Sequence, residues 1–468
     1  MTHSPTVAAL RRGQVRQARW RRLTARLRTF LTSPVRIVPL GFTALIILGA
    51  LPLLLPAARG EDTERVSLTI AFFHSTGAVV GGLPAVSLSE YWSTFGQVVL
   101  VVLIQVGGIG IATLTALLAL AIAGRMGLQS RLLVASGSGV PEIGALRRVL
   151  VGIARIFLAC EAVLAVILAV RFATHYDEAV PRAVWLGVFH SISAFNNAGF
   201  TLFSDNLVGF ATDEWITVPV MAAVVVGGLG FPVVIEVLRQ TRIPLWSINT
   251  RLVLLTTVVL LVGGAVVLGA LEWDNPATLG ALAPADRISN ALFMSVTPRT
   301  AGFNTVDYEL VSPASQLTTM ALMFIGGGSA STAGGIKVGT LAVLTLAIWA
   351  EARGDADTHA FDRRIDGGTV RQALAVFALY SAQIVVATVL LLEVGGAGLA
   401  RSLFEVISAT GTVGLSTNLT GELPEPALWI LMVCMFLGRV GPATLVAALA
   451  LQSRRRLYRL PPGRPLIG

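Results

Sequence analysis

Four short segments of this chain hold the groups best suited to handling a dehydrated cation. They read FFHSTGAVVGGL from Phe72, FHSISAFNNAGF from Phe189, FMSVTPRTAGF from Phe293 and FEVISATGTVGL from Phe404. Each starts at a phenylalanine, runs through small polar residues and reaches a glycine nine or ten residues later: Gly82, Gly199, Gly302 and Gly414. In the first segment Phe72 gives the better anchor spacing. Glycine tolerates unusual backbone angles and close approach, and a ring of carbonyls can replace an ion's hydration shell. The expected ion-facing positions are Val80, Gly81 and Gly82; Asn197, Ala198 and Gly199; Thr300, Ala301 and Gly302; Thr412, Val413 and Gly414. Four copies about one axis complete one ring from a single chain.

Other chemistries lack their signatures. His74 and His190 occupy similar places in the first two copies, but Met294 and Glu405 stand there in the others. Pore-helix packing explains them better than a metal pair. No Cys/His spacing resembles a zinc site, no GxGxxG follows a strand, and no Walker motif is present. An enzyme is not expected, nor a cofactor on this chain.

Positioning such segments requires a membrane. Of 468 residues 54% are hydrophobic and 13% charged, and mean hydropathy is +0.76. Apolar runs near 37–58, 92–123, 148–172, 214–238, 250–272, 314–350, 372–394 and 426–451 read as eight spans, at about 20 residues per crossing. Shorter apolar helices near 66–79, 181–195, 285–298 and 400–411 are too short to cross, so they are re-entrant or buried in protein. The order long, short, long repeats four times. The fold class is an all-α polytopic membrane protein with four parallel repeats about one pseudo-fourfold pore. The units are 37–123, 148–238, 250–350 and 372–451, between a basic leader at 1–36 and a basic tail at 452–468. Glycine clusters also recur about 25 residues after each key glycine: GGIG at 107–110, GGLG at 227–230, GGG at 326–328 and GRVG at 438–441. Tight helix packing and a pathway role are both open for these.

The net charge of +9 would suggest nucleic acid in a soluble chain. Its placement removes that reading. Nine arginines lie in 1–36 and five after residue 451, with no acid in either segment. Arg125, Arg131, Arg147 and Arg148 crowd another connection, whereas the opposite connections carry Asp177, Asp205, Asp307 and Glu422 among others. The positive-inside rule puts both termini in the cytoplasm of a multi-pass plasma-membrane protein, and the short helices enter from outside.

The run 314–350 would be roughly 55 Å long as one helix, against a hydrocarbon core of about 30 Å. It must break, and IGGGSASTAGGIK at 325–337 is the break. The expected gate is a loop across the path that includes Gly326, Gly327, Gly328, Ser329, Ser331, Thr332, Gly334 and Gly335. It ends at Lys337, the only lysine in the chain. That side chain either repels cations, tethers the loop to a carbonyl, or snorkels to the interface. Arg439, mid-span in LGRVGPAT, is expected to face the axis near the loop as an electrostatic barrier, with a buried ion pair as the alternative. Arg299 is expected to brace the backbone three residues before Gly302. Glu161 has no clear account beyond a helix-to-helix contact.

NNAGF at 196–200, TPRTAGFN at 297–304 and TVGLST at 412–417 resemble the filter motifs of the Trk/Ktr/HKT superfamily of potassium transporters. IQVGGIGIAT at 104–113 and GGIK at 334–337 resemble its other hallmarks. The resemblance covers about residues 37–451. It implies potassium uptake, an intramembrane gate loop, a KtrA-like cytoplasmic ring that binds ATP or ADP, and a homodimer with two separate pores. The first unit directly follows the leader, which is similar to the KtrB-like branch. The connection 351–371 and the tail are candidate docking sites for the ring. The first copy departs from the family pattern, with Gly81 for the usual Thr and Ser87 for the usual Asp. Potassium is the expected cargo. Sodium as activator, a sodium-permeable HKT-type transporter and a secondary transporter of another solute stay open.

Overall fold

The computed structural model describes residues 34–60, 66–123 and 143–451. The basic leader before Pro34, most of the 124–149 connection and the tail after Leu451 lie outside the described residues. Fourteen helices carry the described fold, apart from single turns. They are α1 (Pro34–Leu53), α2 (Leu68–Val80), α3 (Thr94–Ala123), α4 (Ile143–His175), α5 (Val180–Phe195), α6 (Glu214–Leu229), α7 (Phe231–Arg239), α8 (Ile248–Glu272), α9 (Pro284–Val296), α10 (Pro313–Phe324), α11 (Val338–Arg353), α12 (Gly367–Gly395), α13 (Leu399–Gly411) and α14 (Glu425–Leu451). A small hairpin, β1 (His359–Ala360) and β2 (Arg363–Arg364), joins α11 to α12.

Local chemistry sets the helix starts. Ser67, Asp213, Ser247, Ser312 and Asp366 cap α2, α6, α8, α10 and α12 through side-chain oxygens that accept from the first-turn N–H groups. Proline opens or nearly opens α5, α9 and α10, where its missing N–H costs nothing.

Among the described residues, five helices are long and apolar enough to cross a membrane, α3, α4, α8, α12 and α14, and the bent pair α6–α7 makes a sixth if it is one span. They leave large apolar side chains exposed, among them Leu158, Val163 and Val166 on α4 and Val258, Val259 and Val266 on α8. Such a belt is at home in lipid and not in water. The short helices α2, α5, α9 and α13 are buried chiefly over their C-terminal halves, and each packs against the long helix before it. Their anchors Phe73, Phe189, Phe293 and Phe404 are all at most 2% exposed. The first anchor is therefore Phe73 and not Phe72. Phe72 is only half-buried and lies against Trp429.

Two expected spans are interrupted. The run 314–350 breaks into α10 and α11, as its length demands. The run 214–238 was expected to be continuous, but α6 and α7 meet at a 100° bend. Gly230 sits at the corner with φ +94°. A methyl there would lie 2.4 Å from the Ser329 carbonyl oxygen, so the loop of the third unit occupies the space a straight helix would need.

Candidate ion pathway

The four glycine segments leave the C-terminal ends of α2, α5, α9 and α13 and meet. A methyl on Gly199 would stand 2.7 Å from the Gly302 Cα. One on Gly302 would stand 2.5 Å from the Val413 oxygen, and one on Gly414 would stand 3.1 Å from the Gly82 oxygen. A methyl on Gly81 would close the circuit, 3.3 Å from the Asn197 oxygen. Val80, Ala198, Ala301 and Val413 are buried beside them, as are Asn197, Thr300 and Thr412. Asn197, Thr300 and Thr412 hold φ of 53°, 73° and 51°, a left-handed conformation that non-glycine residues adopt at a cost. In the first segment the left-handed residue is Gly81 at φ 78°, one position nearer its key glycine.

Repeated hydrogen bonds hold these segments. Ser75, Ser191 and Ser295 each donate to a carbonyl of the preceding long helix: Ile46 at 2.7 Å, Glu161 at 2.6 Å and Leu261 at 2.8 Å. Residues just after the anchor phenylalanines secure the chain beyond the glycine. His74 Nε2 accepts from the Ala85 N–H at 3.1 Å, and His190 Nε2 accepts from the Leu202 N–H at 3.3 Å. Glu405 accepts from the Thr417 N–H at 2.9 Å and from the hydroxyls of Ser416 and Thr420, both at 2.6 Å. The histidines therefore brace backbone, and no metal-holding group of three such ligands occurs among the described residues. The place of Glu405 is legible in the sequence, from the shared position after the anchor, but its bracing role is not.

The recurrent glycines of the long helices seat the short-helix ends. A methyl on Gly107, Gly227 or Gly438 would fall 2.1 Å, 2.1 Å and 1.8 Å from the carbonyl oxygens of Val79, Phe195 and Thr410. Close approach, left open by the sequence, is their observed contact in three units. In the third unit Gly326, Gly327 and Gly328 belong to the loop. Short-helix C-termini carry partial negative charge, so their convergence favours a cation.

Beyond Gly414, on the side away from the loop, a cavity of about 470 Å³ opens, lined in part by Asp205, Asn206, Asn304, Asp307 and Asn418. Asn206 spans two segments there, donating to the Gly302 oxygen at 3.2 Å.

On the other side, residues 325–337 cross beneath the glycines. The Gly326 N–H donates to Ile336 O at 2.8 Å and closes the neck. The Gly328 and Thr332 N–H groups donate to Gly228 O and Gly227 O, at 2.7 and 3.2 Å, and Ala330 O accepts from the Phe231 N–H at 3.2 Å. Thr332 Oγ1 donates to Phe195 O at 3.2 Å, at the end of α5. A methyl on Gly334 would lie 2.0 Å from Thr412 Oγ1, at the end of α13. The loop thus reaches from the second glycine segment to the fourth. Ser331 Oγ ties it internally to Gly328 O at 2.6 Å, and Gly335 turns it at φ 63°. Ser329 is exposed at its far edge. Lys337 Nζ donates to the carbonyls of Ala333 and Gly334. Of the three roles open for this lysine, the observed contact is the tether.

Arg439 is 5% exposed and interacts electrostatically with Lys337. Its Nε and Nη1 have no hydrogen-bond partner, and none of the ion pairs among the described residues includes it. The ion-pair alternative finds no partner there. Arg299 does not bond the glycine-segment backbone as expected. Its Nη2 donates to Gly326 O at 3.3 Å. Glu161 bridges helices, accepting from Gln105 on α3 at 3.1 Å and from Asn196 after α5 at 2.9 Å.

Comparison with known proteins agrees with this architecture. Residues 21–456 match the family described as TrkH, cation transport protein. The chain is 35% identical over 442 residues to the Ktr system potassium uptake protein B of Bacillus subtilis, covering 93% of this chain and 97% of that one. It is 34% identical over 430 residues to the potassium/sodium uptake protein NtpJ of Enterococcus hirae, covering 90% and 94%. The crystal structure of the potassium transporter TrkH from Vibrio parahaemolyticus superposes with a TM-score of 0.71 at 21% identity, covering 91% of this chain and 86% of that one.

Proposed function

The chain belongs to the TrkH cation-transport family, a family of ion transporters and not of enzymes, and from that membership we propose that it carries potassium into the cell through a filter of four glycine segments, gated by the loop 325–337. The observation that carries this reading is the meeting of Gly82, Gly199, Gly302 and Gly414 at the ends of four short helices. A dehydrated potassium ion is coordinated by carbonyls of Val80–Gly82, Asn197–Gly199, Thr300–Gly302 and Thr412–Gly414, and the helix ends add their partial negative charge. It enters from the outer cavity that carries Asp205 and Asp307 and stops at the loop.

The loop has two kinds of support for a gating role. Gly326, Gly327, Gly328, Gly334 and Gly335 let its backbone pass close under the filter. Ser331, Thr332 and Lys337 fix it by a few separable hydrogen bonds. Arg439 then supplies a positive barrier below the filter, so that ions leave after they bind. Arg439→Gln is expected to raise flux of rubidium, a potassium surrogate, in vesicles roughly tenfold, since one charge near the path outweighs 1.4 kcal/mol at an effective dielectric constant near 20. Loss of folding or assembly instead supports a scaffold role.

In this reading the protein lies in the plasma membrane with both termini cytoplasmic. A KtrA-like ring that binds ATP or ADP sets the loop's position, docking near the hairpin in 351–371. That hairpin is ordered by the Arg364–Asp357 ion pair at 3.1 Å and by Arg251 over the Phe361 ring at 5.5 Å. Two chains form a homodimer with separate pores. A second reading, permeation or activation by sodium, is favoured by the shifted turn at Gly81 and by the potassium/sodium description of the Enterococcus hirae relative. The test is growth of a potassium-uptake-deficient bacterium at low potassium, with the regulator co-expressed and with sodium present or absent. Rescue without sodium is expected. Failure of a well-expressed protein to rescue in either condition contradicts potassium uptake, and rescue only with sodium selects the second reading.

A further inference from the structure

Arg299 is a buried cation for which carbonyl coordination of the ion has no use. It stands three residues before Gly302, in the turn that leads into the third glycine segment, and is 7% exposed. The only hydrogen bond of its side chain among the described residues runs from Nη2 to Gly326 O, and its Nη1 has no partner. It belongs to none of the ion pairs among those residues. The void beside it holds about 10 Å³, lined by Val224, Val225, Gly228, Thr257, Val296 and Gly327. That is room for one water at most, so no solvent shell screens the guanidinium.

The contact falls at a mechanically sensitive place. Gly326 is where the loop leaves α10, and its own N–H donates to Ile336 O at 2.8 Å. Ile325 and Ile336 form a parallel bridge beside it. Arg299 therefore grips the neck through which both strands of the loop pass. A loop that swings clear of the path must tilt or open that neck. Doing so strips a buried charge of its one acceptor, which opposes the swing.

We infer that Arg299 is a positioning residue that couples filter to gate, holding the neck of loop 325–337 shut from the third filter strand. The inference rests on the reading of that loop as the gate.

The test uses the full-length protein purified into liposomes, with rubidium influx measured for wild type, Arg299→Met, a loop lacking residues 329–331, and the combination. Removal of one charge-assisted hydrogen bond is expected to raise influx about tenfold in the intact loop. The same substitution is expected to change influx less than about twofold once the loop is shortened, because coupled residues are not additive. A fold-change equal in both backgrounds overturns the coupling, since Arg299 then acts on the filter alone. A shortened loop that leaves influx unchanged removes the gate reading and the coupling with it, so the two failures are distinct. Should Arg299→Met not fold, Arg299→Lys, which lacks the guanidinium fork, makes the same comparison. A flux rise confined to the intact loop supports the coupling, and wild-type flux or an equal rise in both backgrounds overturns it.

Discussion

Removal of residues 329–331 is expected to raise potassium flux by at least tenfold without altering the filter. The excised stretch contributes the Ala330 carbonyl that accepts from Phe231 and the Ser331 hydroxyl that joins Gly328 O to the Ala333 N–H. The first of these three bonds holds the loop to its seat directly and the other two hold the loop in the shape that fits that seat, so at about 1 kcal/mol each they together favour the closed loop by roughly a hundredfold. The filter elements carry none of the deleted residues, so ion selectivity is expected to stay as in wild type. The measurement is rubidium influx into vesicles, with the potassium-to-sodium permeability ratio read from reversal potentials. Unchanged flux sinks the gate assignment. Raised flux with lost selectivity means instead that the loop supports the filter.

The second large effect is at the filter. Gly302→Ala is expected to abolish potassium uptake. Its φ of +75° is already unfavourable for an alanine, and its methyl would meet the Val413 oxygen at 2.5 Å and the Gly199 Cα at 2.8 Å. Both neighbours are backbone, held from behind by short helices, so neither yields cheaply. Overpacking of this kind costs about 1–3 kcal/mol, with the strain added, and the carbonyl ring cannot keep its shape. Gly263→Ala in α8 is the control, because nothing lies within 4 Å of a methyl there. The control is expected to transport as wild type. Equal potassium uptake by both variants removes Gly302 from the ion path.

Much of this arrangement is legible in the chain because it is written locally and repeated. An anchor phenylalanine and a glycine nine or ten residues on define each short helix and its exit, and four copies leave little room for chance. The length of 314–350 forces a break, and five glycines between residues 325 and 337 say where. What stayed hidden depends on residues far apart. Gly230 bends α6 from α7 because a loop about a hundred residues later fills the straight course. Arg299 meets Gly326, 27 residues on, and no local periodicity announces it. Glu161 joins Gln105, 56 residues before it, to Asn196, 35 residues after it. Phe72 and Phe73 differ only in which faces the core, and in a helix that is apolar nearly all round, pattern does not decide it. The glycine pairs of the long helices allow both packing and pathway roles on paper. Contact with the Val79, Phe195 and Thr410 carbonyls joins the two, since packing there is what brings the short-helix ends together.

The most direct test of potassium permeation through the glycine filter is the ionic current or rubidium influx of the purified full-length protein in liposomes, taken with the loop shortened so that gating does not mask it. The expected result is influx that follows the potassium gradient, favours potassium over sodium, and disappears with Gly302→Ala. Vesicles that hold folded protein and yet take up no more rubidium than protein-free vesicles would contradict it.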